Sequence, residues 1–240
     1  MALEITPPSL KSWKMAQNLE YDANKHIGKL ASHSYVVKRA KLVEKWIRYF
    51  INLNSKSMIL EIGGASMPVI DHFTTGKKFS LDPLEDQYKR LFRSRLNTDV
   101  LRIRSIGENM PYPDNFFDLI VMLNVLDHCY EPKKVLAESA RILKSTGILF
   151  LSVNTTSRFW NILKKIKMRI WKNTSEKMHP YIFCRVDVLN MMGSFYKPTN
   201  ILTTYIDILS GEPPGYHVMP NTFIERIKGS GRFYFIGNVK

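Results

Sequence analysis

The sequence predicts an α/β protein built on a mostly parallel sheet. Three observations carry that reading. Short apolar runs alternate with helical-period segments from residue 57 to residue 154, which calls for right-handed βαβ crossovers. A turn rich in small residues, Gly63 to Pro68, follows the first of these runs. The run Phe117–Leu123 is apolar almost throughout, as expected for a strand buried on both faces.

Residues 1–35 mix polar and aromatic side chains and give no clear element. From Val36 to Leu53, Val36, Val37, Ala40, Val43, Trp46, Ile47, Phe50 and Ile51 recur at helical spacing. This predicts an amphipathic helix covering one edge of the sheet. Asn54-Ser55-Lys56 breaks it, and Ser57–Ile62 is the first strand. Pro68 is placed to start a helix at its first position. Lys78–Asp82, Val100–Ile106, Phe117–Leu123 and Ile148–Val153 are the next strands. Helices are expected over Leu84–Arg95 and Pro132–Leu143, the latter region closed by Gly147. Residues 157–172 and Val186–Phe195 also read as helices, and Asn200–Leu209 and Arg232–Val239 as strands.

The chain has 240 residues, 45% hydrophobic and 23% charged, enough for one domain with a sizeable core. No apolar run is long enough for a membrane span, and the first residues lack the pattern of a signal peptide. Cys129 and Cys184 form no CxxC pair, so a cytoplasmic setting is expected and a disulfide framework is not. No Cys/His cluster has metal-ligand spacing, and no metal is expected. The net charge of +14 fits an anionic lipid, nucleic acid or acidic substrate, or a basic proteome.

The segment from Gly107-Glu-Asn-Met-Pro-Tyr-Pro-Asp-Asn-Phe-Phe to Asn124-Val-Leu-Asp-His128, followed by Arg141-Ile-Leu-Lys-Ser-Thr-Gly147, is the most specific part of the chain. Its order resembles class I S-adenosylmethionine-dependent methyltransferases of the type 11 group. The resemblance covers about residues 57–154. It implies a Rossmann-like, seven-stranded, mostly parallel sheet with an antiparallel C-terminal edge hairpin and helices on both faces. It also implies S-adenosylmethionine as cofactor. The expected layout is a helical cap over 1–56, a cofactor-binding core over 57–154, a helical lid or insertion over 155–198 and the β pair over 199–240.

Glu61-Ile-Gly63-Gly64-Ala65-Ser-Met67-Pro68 resembles the family's first motif, with Ala65 and Met67 in place of its second and third glycines. A dinucleotide dehydrogenase fits less well, because its GxGxxG fingerprint needs Gly where Ala65 and Pro68 stand. Asp82, at the end of the second strand, can accept both hydroxyls of a ribose or can cap a helix, and Leu84 follows where an apolar adenine contact is useful. Ile106, Gly107 and Glu108 lie where relatives grip the adenine edge; Ile106 lacks the acid many relatives carry. Asn124 borders the expected sulfonium or caps the strand.

For chemistry, His128 is the first candidate general base and Asp127 the second. His179, Tyr181 and His217 are candidate acceptor-pocket residues. Residues 157–177 hold seven Lys/Arg and one acid, Glu176. There Phe159, Leu163, Ile166 and Ile170 face one side, and Lys165, Arg169 and Lys172 the other. The pattern suits a lid helix or an interfacial helix on anionic membrane. The expected activity is methyl transfer to a small-molecule, sugar-like or lipid-linked acceptor. A catalytically silent methyltransferase-like binding subunit and a nucleic-acid methyltransferase are the alternatives.

Overall fold

A computed structural model describes residues 6–30, 33–163, 178–204 and 231–240. Its centre is a sheet of five parallel strands: β1 (Met58–Ile62), β2 (Lys77–Asp82), β3 (Val100–Arg104), β4 (Phe117–Leu123) and β5 (Leu143–Thr156). The two-residue β6 (Phe183–Cys184) joins the end of β5 in parallel. The antiparallel pair β7 (Tyr196–Thr204) and β8 (Gly231–Val239) completes the order β3-β2-β1-β4-β5-β8-β7. This is the expected sheet and edge hairpin, with one short strand added. Pro198 is confined to the outermost strand, where its missing N–H costs no inner ladder bond, and the pairing shifts register beside it.

Period-2 alternation in β1 and β4 builds a core on each face. Leu60, Ile62, Ile120 and Met122 point to one side, where they meet Val135 and Leu136 of α4 (Pro132–Ile142) and Val188 of α5 (Arg185–Gly193); Phe117 joins them across a register shift at the start of β4. Ile59, Leu119 and Val121 point to the other, against Val43, Trp46 and Ile47 of α2 (His33–Ile47). The helix α3 (Glu85–Phe92) connects β2 to β3.

Several expectations change. The N-terminal stretch carries a full helix, α1 (Leu10–Leu30), whose stripe is polar and aromatic and so escapes a search for apolar periodicity. The glycine loop is followed by a three-residue 3₁₀ turn, Ile70–His72, because Phe73 is already extended and the chain runs on to β2. The strand β3 stops at Arg104, short of Ile106, and β7 begins at Tyr196. Gly147 closes no helix: α4 ends at Ile142. Its small size serves packing instead, since a Cβ there would lie 2.9 Å from the Asp118 carbonyl oxygen and 3.0 Å from that of Phe117.

The structure also explains the Pro-Tyr-Pro-Asp-Asn-Phe-Phe turn. Tyr112, Phe116 and Phe117 pack with Phe79 of β2, the Tyr112 and Phe117 rings 4.8 Å apart. The Arg141 guanidinium donates to the Tyr112 carbonyl at 2.9 Å, to Asp114 at 2.7 Å and to the Met110 carbonyl at 3.1 Å. Glu138 holds that guanidinium from the same helix, and the pairing lowers the Glu138 carboxyl. The two distant halves of the sequence signature are thus one hydrogen-bonded unit.

Among the described residues no helix is long and apolar enough to cross a membrane. The basic helix expected at 157–172 is visible only over 158–163; its remainder lies outside the described residues. In that stretch Asn161 is buried and donates to the Ile182 carbonyl at 2.7 Å, while Phe159 and Ile162 are exposed.

Candidate active site

A cleft opens at the carboxyl ends of β1, β2 and β4, where an open α/β sheet places its ligands. The loop after β1 forms its floor. Gly63 has φ +69°, and a Cβ there would stand 2.7 Å from a Val125 methyl. Glycine is required by both constraints. Ala65 has φ +50°, so a residue with a Cβ holds the left-handed conformation that glycine adopts freely, at a cost of about 1–2 kcal/mol. The loop therefore keeps a glycine-like backbone despite the substitution.

Two buried carboxylates fix this loop. Glu61 accepts the N–H groups of Val69 at 3.1 Å and Ile70 at 3.0 Å. It braces the loop and is not among the residues that line the cleft. Gly64 likewise faces inward, against Pro68 and the Glu61 carboxyl. Asp82 lines the cleft and accepts the N–H groups of Leu84 at 2.8 Å and Ala65 at 3.2 Å. Desolvation pushes both carboxyls up to about 7, against the pull of their N–H donors.

Leu84, Ile106, Gly107, Asn124 and Val125 also line the cleft. Glu108 also borders it, but one of its oxygens accepts the N–H groups of Tyr130 at 2.7 Å and Glu131 at 3.0 Å, which fastens the start of α4. Asn124 is unusual on two counts. Its φ is +62°, and its Oδ1 is buried without a hydrogen-bond partner among the described residues. A buried acceptor left open typically costs about 1–3 kcal/mol, and here it borders the cleft.

The cover of the cleft comes from α1, within the helical cap expected over 1–56, although no apolar period placed this helix. Trp13, Gln17 and Glu20 recur at helical spacing and line the cleft. Trp13 Nε1 and Gln17 Nε2 donate to the His128 carbonyl at 3.0 and 3.2 Å, and Asn24 accepts from the Ser66 hydroxyl at 3.0 Å. This helix joins the loop after β1 to the turn after β4.

That turn, Leu126–His128, carries the expected catalytic residues. His128 lines the cleft. Its Nδ1 lies 3.0 Å from the Met178 carbonyl, which can only accept, so the proton belongs on Nδ1 and the lone pair on Nε2. Asp127 is buried; its Oδ2 lies 2.8 Å from His179 Nδ1, and its Oδ1 has no hydrogen-bond partner among the described residues. The His128 and His179 rings are 4.5 Å apart. Tyr181 stands beside them, its hydroxyl donating to the Tyr130 carbonyl and its N–H to that of Asp127. His217 lies outside the described residues. The fold thus gathers His128, Asp127, His179 and Tyr181, a grouping hidden by some 50 residues of intervening chain.

This sheet order, with a ligand cleft above β1 and β2, defines the class I methyltransferase architecture. Residues 64–151 match the family model described as a methyltransferase domain. With that domain the protein is an enzyme, an S-adenosylmethionine-dependent methyltransferase, and S-adenosylmethionine is its cofactor. Sequence similarity to curated proteins includes YrhH of Bacillus subtilis, 26% identical over 137 residues, covering 54% of this chain and 74% of that protein. Among solved structures, a SAM-dependent methyltransferase of Thermotoga maritima aligns with a TM-score of 0.60 at 16% identity, covering 95% of this chain and all of the other. Geranyl diphosphate C-methyltransferase of Streptomyces coelicolor aligns with a TM-score of 0.61 at 12% identity, covering 97% and 99%. That enzyme was solved with Mg²⁺, geranyl diphosphate and S-adenosylhomocysteine.

Proposed function

We propose that this methyltransferase acts on a hydroxyl of a small-molecule acceptor, sugar-like or lipid-linked, presented at the Asp127–His128–His179 edge of the cleft. The observation that carries the reading is the position of His128: its ring borders the cofactor cleft on one side and His179 on the other.

The bound cofactor supplies a methyl group already activated by its sulfonium. The chain's own work is to hold, orient and exclude water. Asp82 would accept the ribose hydroxyls with the lone pairs left beside its two N–H donors. Gly63 and Ala65 would bring backbone against the amino-acid tail, and Leu84 and Ile106 would flank the adenine, with Gly107 offering a backbone N–H to its edge. The unpartnered Asn124 Oδ1 would accept from the ammonium group. His128 Nε2 would take the acceptor's proton, with Asp127 holding His179 beside it and Tyr181 shaping the acceptor wall.

A screen of hydroxylated acceptors with isotopically labelled donor tests this directly. Replacing His128 with Gln should lower turnover about 10²–10⁴-fold, the usual range for a lost general base, with S-adenosylhomocysteine affinity nearly unchanged. Equal turnover in the variant removes His128 from the proton path.

A further inference from the structure

We propose that Asp127, His128 and His179 form a binding site for a divalent transition-metal ion of the Zn²⁺ kind. The three residues present ligand atoms that all lie within 4.8 Å of one another. Two imidazoles and a carboxylate are a ligand set suited to Zn²⁺, Fe²⁺ or Co²⁺; Mg²⁺ and Ca²⁺ prefer oxygen. Asp127 Oδ2 and His179 Nδ1 are 2.8 Å apart as hydrogen-bond partners, and would open to about 3.3 Å to share a tetrahedral ion 2.0–2.1 Å from each. His128 Nε2 is 3.9 Å from the same oxygen and must draw in by roughly half an ångström to complete a tetrahedral set.

Two further observations point to a ligand. Asp127 is 4% exposed, yet its Oδ1 has no hydrogen-bond partner among the described residues. A buried carboxylate oxygen left open is costly, and a cation beside it offsets that cost. The second is the outer contact of His128. A metal-bound histidine characteristically donates its other ring N–H to a carbonyl or carboxylate, which fixes the tautomer and aims the lone pair. His128 Nδ1 has such partners in the Met178 carbonyl at 3.0 Å and Glu20 Oε2 at 3.4 Å.

Three protein ligands leave further positions for water or an acceptor oxygen, the pattern of catalytic rather than structural sites. An ion held there would occupy the His128 Nε2 lone pair, so His128 serves as base only in the metal-free protein; with the ion bound, its charge would ease loss of the acceptor's proton to solvent. The same side chains serve the acceptor side of the proposed reaction. The inference itself rests on their placement, and the ion is titrated with neither donor nor acceptor present.

The test uses full-length, tag-free protein stripped with a chelator. Zn²⁺ is titrated calorimetrically, Mg²⁺ serves as a control, and Co²⁺ absorption reports nitrogen ligation. S-Adenosylhomocysteine binding is measured separately on each protein as the check on folding. One Zn²⁺ per chain is expected, bound at least about tenfold more weakly after His179→Ala, a side chain 35% exposed and safe to truncate. The same loss is expected for His128→Ala. His72→Ala, which breaks up the separate His33–His72 ring contact, should leave the affinity unchanged. Absence of Zn²⁺ binding overturns the proposal. So does affinity that survives His179→Ala and His128→Ala together, or Mg²⁺ binding as tightly as Zn²⁺.

Discussion

Asp82 Oδ2 accepts the Ala65 N–H at 3.2 Å, so the carboxylate ending β2 and the loop following β1 hold each other. One residue thereby serves the fold and faces the cofactor cleft. Its removal should be felt twice. Asp82→Ala is expected to weaken S-adenosylhomocysteine binding by about 1.5–3 kcal/mol and to lower the melting temperature as well. Asp82→Asn keeps an acceptor for one N–H but loses the charge, so its binding defect should exceed its stability defect. Calorimetry and thermal unfolding on both variants separate the two roles; wild-type affinity in a folded Asp82→Ala protein would remove Asp82 from the cofactor site.

The buried carboxyls make a signed pH prediction. Glu61 and Asp82 are both raised to about 7 by burial, from ordinary values of 4.5 and 3.8. Between those values the folded state binds more protons than the unfolded one, so stability falls as pH rises. Their contribution is fully present below about pH 4 and lost through about pH 7, on the order of a few kcal/mol in all. Glu61→Gln should flatten the decline measured by denaturant unfolding between pH 5 and 8. An equally steep decline in that variant contradicts the assignment.

Ala65 predicts a stabilising substitution. At φ +50° its Cβ is strained, and Ala65→Gly should raise stability by about 1 kcal/mol after the added unfolded-state entropy is subtracted. Cofactor affinity should hold, because the Ala65 N–H remains. A fall in melting temperature would show that the methyl group contributes packing worth more than the strain.

The cover helix gives a kinetic prediction. Trp13 and Gln17 tie α1 to the His128 carbonyl, and replacing both with Ala removes two hydrogen bonds of roughly 1 kcal/mol each along with one wall of the cleft. S-Adenosylhomocysteine should then dissociate faster, by about tenfold or more in stopped-flow displacement. An unchanged off-rate would mean that the ligand leaves by a path α1 does not cover.

Much of this was legible in the sequence because its physics is local. Apolar runs of strand length and helical periodicity placed β1, β2, β4, α4 and β8 to within a few residues. The turn after β1 and the carboxylate ending β2 marked the cleft. What escaped was set by tertiary contact. The stripe Trp13, Gln17, Glu20 and Asn24 is helical, but it packs on polar groups and leaves no apolar period. Gly147 looked like a helix stop and is instead a point of close approach to β4. The bracing of the loop by Glu61, through the Val69 and Ile70 N–H groups, was not legible either. The Asp127–His179 contact joins residues 52 apart, which no spacing rule connects.

The most direct test of the account is a calorimetric titration of S-adenosylhomocysteine into wild type and Gly63→Val. The account predicts one saturable site per chain in wild type. It predicts loss of that site in the variant, whose added side chain meets Val125 from a backbone at φ +69°. Val125→Ala in the same chain should restore part of the affinity by opening that space. Contradiction would come from wild-type protein that binds no S-adenosylhomocysteine, or from a folded Gly63→Val protein that binds it as tightly as wild type.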